Sequence, residues 1–206
     1  MTGQPQPHLT SQLMPAGPLP TKAYDFIRSL YPRLRNYLAA TGSPYEDAEE
    51  IANDGSLIVL DRWDRLRADP RYDGCPPRAY LFKVATRLRS RRARTSKFDW
   101  RPLDPDDLEF TSAALAILSL EELEEPAVDR LTAAAVVRQT LTKMRLPDRE
   151  VLWIRLAEDF STADTATILR IPPNTVRTRL RVATMRFKDL VTASGALAGT
   201  RWDVTR

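Results

Sequence analysis

The chain has 206 residues, enough for one or two small domains, and its 31 basic and 27 acidic residues give a net charge of +4. The single cysteine, Cys75, excludes an internal disulfide and, without Cys or His companions, offers no zinc site. No apolar run could cross a bilayer, and the proline-rich leader, residues 1–20, lacks the basic and apolar segments of a signal peptide. We therefore expect a cytoplasmic protein with no membrane insertion, no metal and no cofactor.

Three stretches of different charge divide the rest of the chain. Residues 21–97 carry sixteen basic and ten acidic residues, a net charge of +6. Residues 98–130 carry two against ten, a net charge of −8, and residues 131–192 carry eleven against six, a net charge of +5. Basic blocks favour polyanions, whereas DNA would repel the acidic connector. Residues 193–206 are interpreted as a loose tail.

Helical periodicity predicts two helices at the start of the first basic block. Apolar residues at four-residue steps predict a helix over residues 23–40. The segment Ser43-Pro44-Tyr45-Glu46 predicts a second helix, with Ser43 as its N-cap and Pro44 at its first position, running to about Leu66. Gly55 lies inside that helix and costs about 1 kcal/mol relative to alanine, so the helix is expected to be locally weak there.

A third helix is predicted to start near Pro77, after a loop rich in Pro, Asp and Gly. Its apolar residues fall on one side, and a basic stripe falls on another. The inward set is Leu81, Val84, Ala85 and Leu88, and the stripe is Lys83, Arg87, Arg91 and Arg94.

The connector and the second basic block are also predicted to be helical or irregular. Residues 98–130 are rich in Pro and Asp and are interpreted as a flexible linker with at most one short helix. Residues 131–146 form a helix with one apolar face, and Pro147 starts another that runs to about Glu158.

Residues 160–190 are the most informative part of the sequence. A short helix after the N-cap Ser161, with Asp164 in the reciprocal capping-box position, ends before Pro172 and Pro173. The helix that follows has an apolar stripe, and its other faces are basic and hydroxyl-bearing. The stripe consists of Val176, Leu180, Ala183 and Phe187. Two such helices form a helix-turn-helix, which fits the DNA major groove. The predicted fold is all-α: two small helical bundles on a flexible acidic linker, with the helix-turn-helix in the second.

Two motifs resemble segments of bacterial sigma factors. Residues 45–63, YEDAEEIANDGSLIVLDRW, are similar to D-A-E-D-I-V-Q-E-x-F-L-x-V-W, and residues 78–94, RAYLFKVATRLRSRRAR, are similar to the segment that follows it. The C-terminal block resembles L-P-x-x-x-R-E-V-L-x-L-R-x-x-E-x-L-S followed by a helix-turn-helix. Their order and spacing identify the chain as a two-domain member of the extracytoplasmic-function type, with domains at 21–97 and 131–192.

The resemblance implies a role for each motif. The second helix is expected to dock on the β′ clamp helices of RNA polymerase through residues Glu50, Asn53, Asp54 and Leu57. The third helix resembles the element that captures the melted minus-ten region, which implies DNA contacts from Tyr80, Lys83, Arg87 and Arg91. For Tyr80 the alternative is a core position.

The second domain is expected to read the minus-thirty-five element through the residues Asn174, Thr175, Arg177, Thr178 and Arg181. The two arginines can pair with guanine edges or hold phosphates, and only the first specifies sequence. The implied partners are core polymerase, also through its β flap, and promoter DNA. The acidic linker is expected to imitate a nucleic-acid chain in the RNA path or to serve only as a solubilising tether. Whether an anti-sigma factor binds the chain stays open.

Several positions depart from the family pattern, among them Asn53-Asp54, which stands for a Gln-Glu pair, and Ser56, which stands for an aromatic residue and follows Gly55. Tyr80 stands for a Trp and Arg87 for an Asn, which predicts an unusual minus-ten preference. Arg170 stands for the turn glycine, at a cost of roughly 1 kcal/mol if its backbone is left-handed. Thr165 stands for a buried Ile, which predicts a C-terminal domain that is marginally stable by itself.

Two other classes of function compete with the sigma interpretation. A helix-turn-helix regulator could bind duplex operators as a dimer, but the chain has no evident dimerisation helix or ligand domain. An enzyme is not expected, because the sequence shows no nucleophile–base pair, metal cluster or glycine-rich phosphate loop.

Overall fold

The structure is a computed structural model that describes residues 21–94, 113–114, 117 and 130–195. Within these ranges all regular secondary structure is helical, as predicted. The N-terminal block, residues 21–94, contains α1 (Thr21–Ala40), α2 (Tyr45–Asp61), α3 (Trp63–Ala68), a 3-10 turn (Tyr72–Gly74) and α4 (Pro77–Arg92). The C-terminal block, residues 130–195, contains α5 (Arg130–Thr142), α6 (Leu146–Leu152), a π-helical turn (Trp153–Ala157), α7 (Thr162–Leu169) and α8 (Pro173–Ser194).

The N-terminal block forms around the apolar side of α1. Leu34 and Leu38 are fully buried there, and the helix ends at Gly42, whose φ of 103° suits a residue without a Cβ. The Ser43 N–H closes that end by donating to the Leu38 carbonyl at 3.0 Å. The prediction that Ser43 caps α2 is wrong: α2 follows Pro44, no side chain caps it, and the Ser43 hydroxyl is buried.

Gly55 lies where α2 packs on α4. A Cβ at this position would lie 3.8 Å from the Cβ of Ala85, which is an ordinary van der Waals distance. The predicted weak point is therefore a buried helix contact with room for a methyl group.

The C-terminal block is held together by α5, the π-helical turn and α8. Ala134, Val137 and Leu141 on the apolar face of α5 are all buried, and Trp153 is buried in the turn. The Glu158 N–H donates to the Trp153 carbonyl, five residues back, at 3.1 Å. The segment predicted to be one helix to about Glu158 is therefore α-helical over Leu146–Leu152 and π-helical over Trp153–Ala157.

Thr165 is fully buried in α7, but its hydroxyl donates to the Ser161 carbonyl at 2.8 Å. A buried hydroxyl with a partner avoids most of the desolvation cost of an unpaired one. The substitution at this position is therefore accommodated by a local hydrogen bond.

The two blocks pack against each other, which the prediction of two bundles on a tether did not anticipate. The rings of Phe82 and Phe160 meet edge to face with centroids 5.1 Å apart, and the buried residues form one continuous core through both blocks. In the connector, Ala113, Ala114 and Ile117 are helical, and the last two are fully buried. The remaining linker residues, the leader and residues 196–206 lie outside the described residues. The tail was predicted to begin at residue 193, but α8 reaches Ser194.

Candidate nucleic-acid interface

The first half of α8 presents a polar surface. Val176, Ala183 and Phe187 are buried, which turns the opposite side of the helix outward. Asn174, Arg177, Thr178 and Arg181 are exposed, and Thr175 is half-buried. The Arg177 Nη1 donates to the Asn174 Oδ1 at 2.7 Å, so these two side chains are oriented together.

The turn before α8 is the one that the proline pair predicts. Pro172 is extended at φ −60°, ψ 146°, and α8 begins at Pro173. Arg170 is left-handed at φ 55°, ψ 47°, which is the strained conformation predicted for a residue at the glycine position. The Ser161 hydroxyl accepts from the Asp164 N–H at 3.0 Å, as a capping box requires. The Asp164 carboxylate accepts from that hydroxyl and from Arg71.

One face of α2 is exposed along its length. Glu50, Asn53, Asp54 and Leu57 are spaced three, one and three residues apart, which places them on one side of the helix, and all four are exposed. Glu50 and Asp47 are held by Arg92 from α4, with the Arg92 Nε 3.0 Å from the Asp47 carboxylate. The predicted polymerase-binding residues thus form one exposed acidic and apolar strip.

Tyr80 is a core residue in this structure and does not reach the surface. Its side chain is fully buried, its hydroxyl accepts a hydrogen bond from Arg62, and the Tyr72 ring packs edge-on against it at 5.4 Å. The prediction that Tyr80 contacts DNA is not met here, because each of these contacts keeps the ring inside the N-terminal block.

Lys83 is also buried, so its ammonium group is not presented to DNA in this structure as the sequence predicted. Its Nζ lies 2.8 Å from the Asp73 carboxylate and donates to the Asp73 carbonyl at 2.9 Å. Arg87 approaches the same carboxylate at 3.8 Å and is half-buried. The hydrogen bond from Lys83 lowers the pKa of Asp73 below its ordinary value, despite partial burial. Of the predicted stripe, Arg91 and Arg94 are exposed.

Glu158 is the most constrained carboxylate among the described residues, and sequence reasoning missed it. Only 2% of its side chain is exposed, and it accepts from the Arg33 Nε at 3.0 Å and the Arg78 Nη2 at 2.9 Å. The indole N–H of Trp153 donates to its second oxygen at 3.3 Å. Burial raises the pKa of Glu158 above its ordinary value, and the two guanidinium groups oppose that shift.

Three further contacts surround Glu158 where the blocks meet. The Arg78 guanidinium lies 4.3 Å from the centre of the Phe160 ring, a cation–π distance. Arg89 pairs with Glu150, and the Arg71 Nη2 lies 3.2 Å from the Asp164 carboxylate. No local sequence signal marks these partners, because each pair joins residues more than sixty positions apart.

Residues 21–94, 113–114, 117 and 130–195 contain no group of three or more His, Cys, Asp or Glu side chains that could hold a metal ion. Cys75 is buried, and burial raises the pKa of its thiol. None of the described helices combines the length and apolar character needed to span a membrane.

Comparison with known proteins gives matches on both blocks. The sigma-70 region 2 family matches residues 26–98, and the sigma-70 region 4 family matches residues 134–183. A solved structure of the sigma factor RpoE in complex with the anti-sigma factor NepR from Bartonella quintana is similar in fold. It is 19% identical, covers 82% of this chain and 97% of its own, and has a TM-score of 0.52. Curated proteins give no match.

The two family matches fall on the two helical blocks, in the order that the sequence motifs predict, and together span more than half of the 206 residues. The fold agrees with them, because a helix-turn-helix occupies the second match and the α2–α4 pair occupies the first. The chain belongs to the sigma-70 family and is an RNA polymerase sigma factor.

Proposed function

We propose that this sigma factor, which binds RNA polymerase and promoter DNA, makes these contacts through three separate surfaces. In this proposal α2 binds core polymerase, α4 holds the minus-ten region, and α8 reads the minus-thirty-five element. The observation that carries the proposal is the exposed polar face at the start of α8, supported by its buried stripe. The protein acts by binding alone, in the cytoplasm, and catalyses no reaction itself.

The two arginines of α8 that are predicted to contact DNA differ in their surroundings. Arg177 is tied to Asn174, whereas Arg181 makes no hydrogen bond or ion pair within the described residues. A pre-oriented guanidinium suits bidentate pairing with a guanine edge, and a free one also suits a phosphate. We therefore assign base reading to Arg177 and backbone contact to Arg181.

Promoter binding by the holoenzyme tests this assignment. Arg177→Ala should cost about 1–3 kcal/mol on the preferred minus-thirty-five sequence and relax specificity there. Arg181→Ala should weaken binding equally on all sequences and lower the salt dependence by about one phosphate contact. Arg28→Ala, which changes an exposed arginine of α1, is the control. If both α8 variants lost the same binding free energy on every promoter sequence, Arg177 would not read bases.

For the minus-ten region the exposed end of α4 is the proposed surface, since Tyr80 and Lys83 are buried. Arg91 is exposed, and Arg87 is half-buried beside Asp73. Arg91→Ala should slow open-complex formation, and a promoter with a pre-melted minus-ten bubble should recover part of that loss. Without any recovery on the bubble template, Arg91 acts at another step.

Core polymerase and an anti-sigma factor are the proposed protein partners. The exposed strip on α2 suits a basic partner surface with an apolar spot, and we propose that this partner surface is the β′ clamp helices. The strip consists of Glu50, Asn53, Asp54 and Leu57. Binding of the β flap is assigned to the C-terminal block. The anti-sigma proposal rests on the complex in which the similar fold was solved.

Transcription in vitro tests the function as a whole. Core polymerase with this protein should start transcripts at defined promoters, and core polymerase alone should not. The duplex-operator alternative predicts tight, sequence-specific binding by the free chain, and that result without transcript initiation would favour it.

A further inference from the structure

Tyrosine side chains form a row along one side of α1. Tyr24 and Tyr31 are seven residues apart, which places them on the same side of the helix and about 10 Å from each other along its axis. Tyr24 is 56% exposed, and Tyr31 is half-buried. Exposed aromatic rings that follow one another on a surface are typical of a binding site for another chain segment.

The start of α2 continues this row and fixes its far end. The Tyr31 hydroxyl donates to the Glu49 carbonyl at 3.4 Å. Arg35, one turn after Tyr31, has its guanidinium carbon 5.4 Å from the centre of the Tyr45 ring, and its Nη1 donates to the Tyr45 hydroxyl at 3.2 Å. Tyr45 is 39% exposed. Tyr24, Tyr31 and Tyr45 are called the tyrosine row below, and these contacts hold two of its three rings in place before anything binds to them.

The proline-rich leader, residues 1–20, ends where α1 begins. It contains five prolines and no Lys, Arg, Asp or Glu. In residues 14–20, six of the seven residues either are proline or precede one, so their backbones favour the extended polyproline II conformation. Pro15 and Pro18 are three residues apart, which in that conformation puts them on the same side and about 9 Å apart. This spacing matches the separation of about 10 Å between Tyr24 and Tyr31.

We propose that the leader docks on the tyrosine row of its own chain as a polyproline II helix, with Pro18 against Tyr24 and Pro15 against Tyr31. Aromatic surfaces bind two prolines at this spacing because the polyproline II backbone is already ordered and loses little entropy on binding. The polyproline II backbone leaves its carbonyls unpaired, and the exposed Tyr24 hydroxyl can donate to one of them. Since the leader has no charged side chain in its sequence, the contact is mainly apolar.

The length of the connection allows the leader to fold back along α1. Three residues from Pro18 to Thr21 can span up to about 10 Å. Packed helices lie about 8–10 Å apart, so this span is sufficient to place the leader beside α1. A tether this short keeps the leader at an effective concentration on the order of millimolar, so a weak contact is enough to occupy the row. For this reason we assign the row to the chain's own leader and not to the leader of a second copy.

Photo-crosslinking in the full-length chain tests the proposal. A benzophenone side chain replaces Tyr24 in one variant and Asp25 in the matched control. Both positions are exposed and lie almost equally far along the chain from the leader, but Asp25 is turned by about 100° around the helix. Irradiation should link position 24 to residues 14–18 with a yield several times higher than that from position 25. Equal yields from the two positions would overturn the docking, because closeness along the chain would then explain the links.

Changes in the leader test the pairing of prolines with tyrosines. Pro15→Gly combined with Pro18→Gly keeps the length of the leader and should lower the yield from position 24 several-fold. Pro5→Gly combined with Pro7→Gly removes two other prolines of the leader and should leave that yield unchanged. If both pairs of changes have the same effect, Pro15 and Pro18 are not the docked residues. Products with twice the mass of the chain on a denaturing gel would assign the row to a second copy and overturn docking within the chain.

Discussion

Phe160 and Phe82 meet edge to face, with ring centroids 5.1 Å apart, and so join the cores of the N-terminal and C-terminal blocks. Such an aromatic pair contributes about 0.5–1.5 kcal/mol beyond the area it buries. The surrounding ion pairs include partly exposed arginines, which can recover hydration when the blocks separate. The contact is thus specific in geometry.

Gly55→Ala should stabilise the N-terminal block. The added Cβ meets the Ala85 Cβ at 3.8 Å, and alanine loses less backbone entropy than glycine when a helix forms. We expect the free energy of unfolding in urea to rise by about 0.5–1 kcal/mol. Gly42→Ala, at a φ of 103°, is the opposite control and should destabilise the chain. A lower free energy of unfolding for Gly55→Ala than for the wild type would mean that the α2–α4 contact has no room for the added methyl group.

Arg170→Gly should stabilise the C-terminal block. Arginine at φ 55° carries the left-handed penalty that glycine avoids, so the gain should be about 1 kcal/mol in the free energy of unfolding. Arg181→Gly, in the middle of α8, should lower it by about 1 kcal/mol because glycine weakens a helix interior. If both glycine variants were less stable than the wild type, relief of backbone strain at Arg170 would not be the main effect.

Most of the local structure could be predicted because its causes are local. The proline pair ends one helix and begins the next, and the apolar stripe of α8 fixes which side is buried. The exposed strip on α2 follows from spacing alone. The backbone at Arg170 is left-handed, which is the condition under which the expected cost of roughly 1 kcal/mol applies.

The contacts of Tyr80, Lys83 and Glu158 could not be predicted. Lys83 lies on the basic stripe of α4 by spacing, but the 3-10 turn folds Asp73 back onto its ammonium group. Glu158 looks like a helix-terminal surface residue until the π-helical turn directs it toward Arg78. Docking of one block on the other depends on pairings between distant segments, which periodicity and local propensity do not report.

Asp54→Arg should weaken binding to core polymerase. Asp54 is exposed in the middle of the α2 strip, so the change should leave the helical circular dichroism spectrum almost unaltered while opposing a basic partner. Asp61→Arg makes the same charge reversal at the exposed end of α2 and should keep most of the affinity. Equal affinities of Asp54→Arg and wild type for core polymerase would exclude this strip from the interface.

Glu158 and Asp73 should give opposite pH dependences of stability. Burial raises the pKa of Glu158, so its contribution to stability is present below its ordinary pKa of 4.5 and is lost as the pH rises through the folded value. The hydrogen bond from Lys83 lowers the pKa of Asp73, so its contribution is present above its ordinary 3.8 and is lost as the pH falls through the folded value.

Urea unfolding of Glu158→Gln and Asp73→Asn between about pH 3 and pH 7 measures both effects. Relative to wild type, Glu158→Gln should gain stability as the pH rises above 4.5, because only the wild type then has to ionise a buried carboxyl group. Asp73→Asn should be about 1 kcal/mol less stable near neutral pH, since the lost partner is 44% exposed, and the deficit should vanish in acid. A difference from wild type that does not change with pH would show that the carboxyl concerned titrates alike in the folded and unfolded chains.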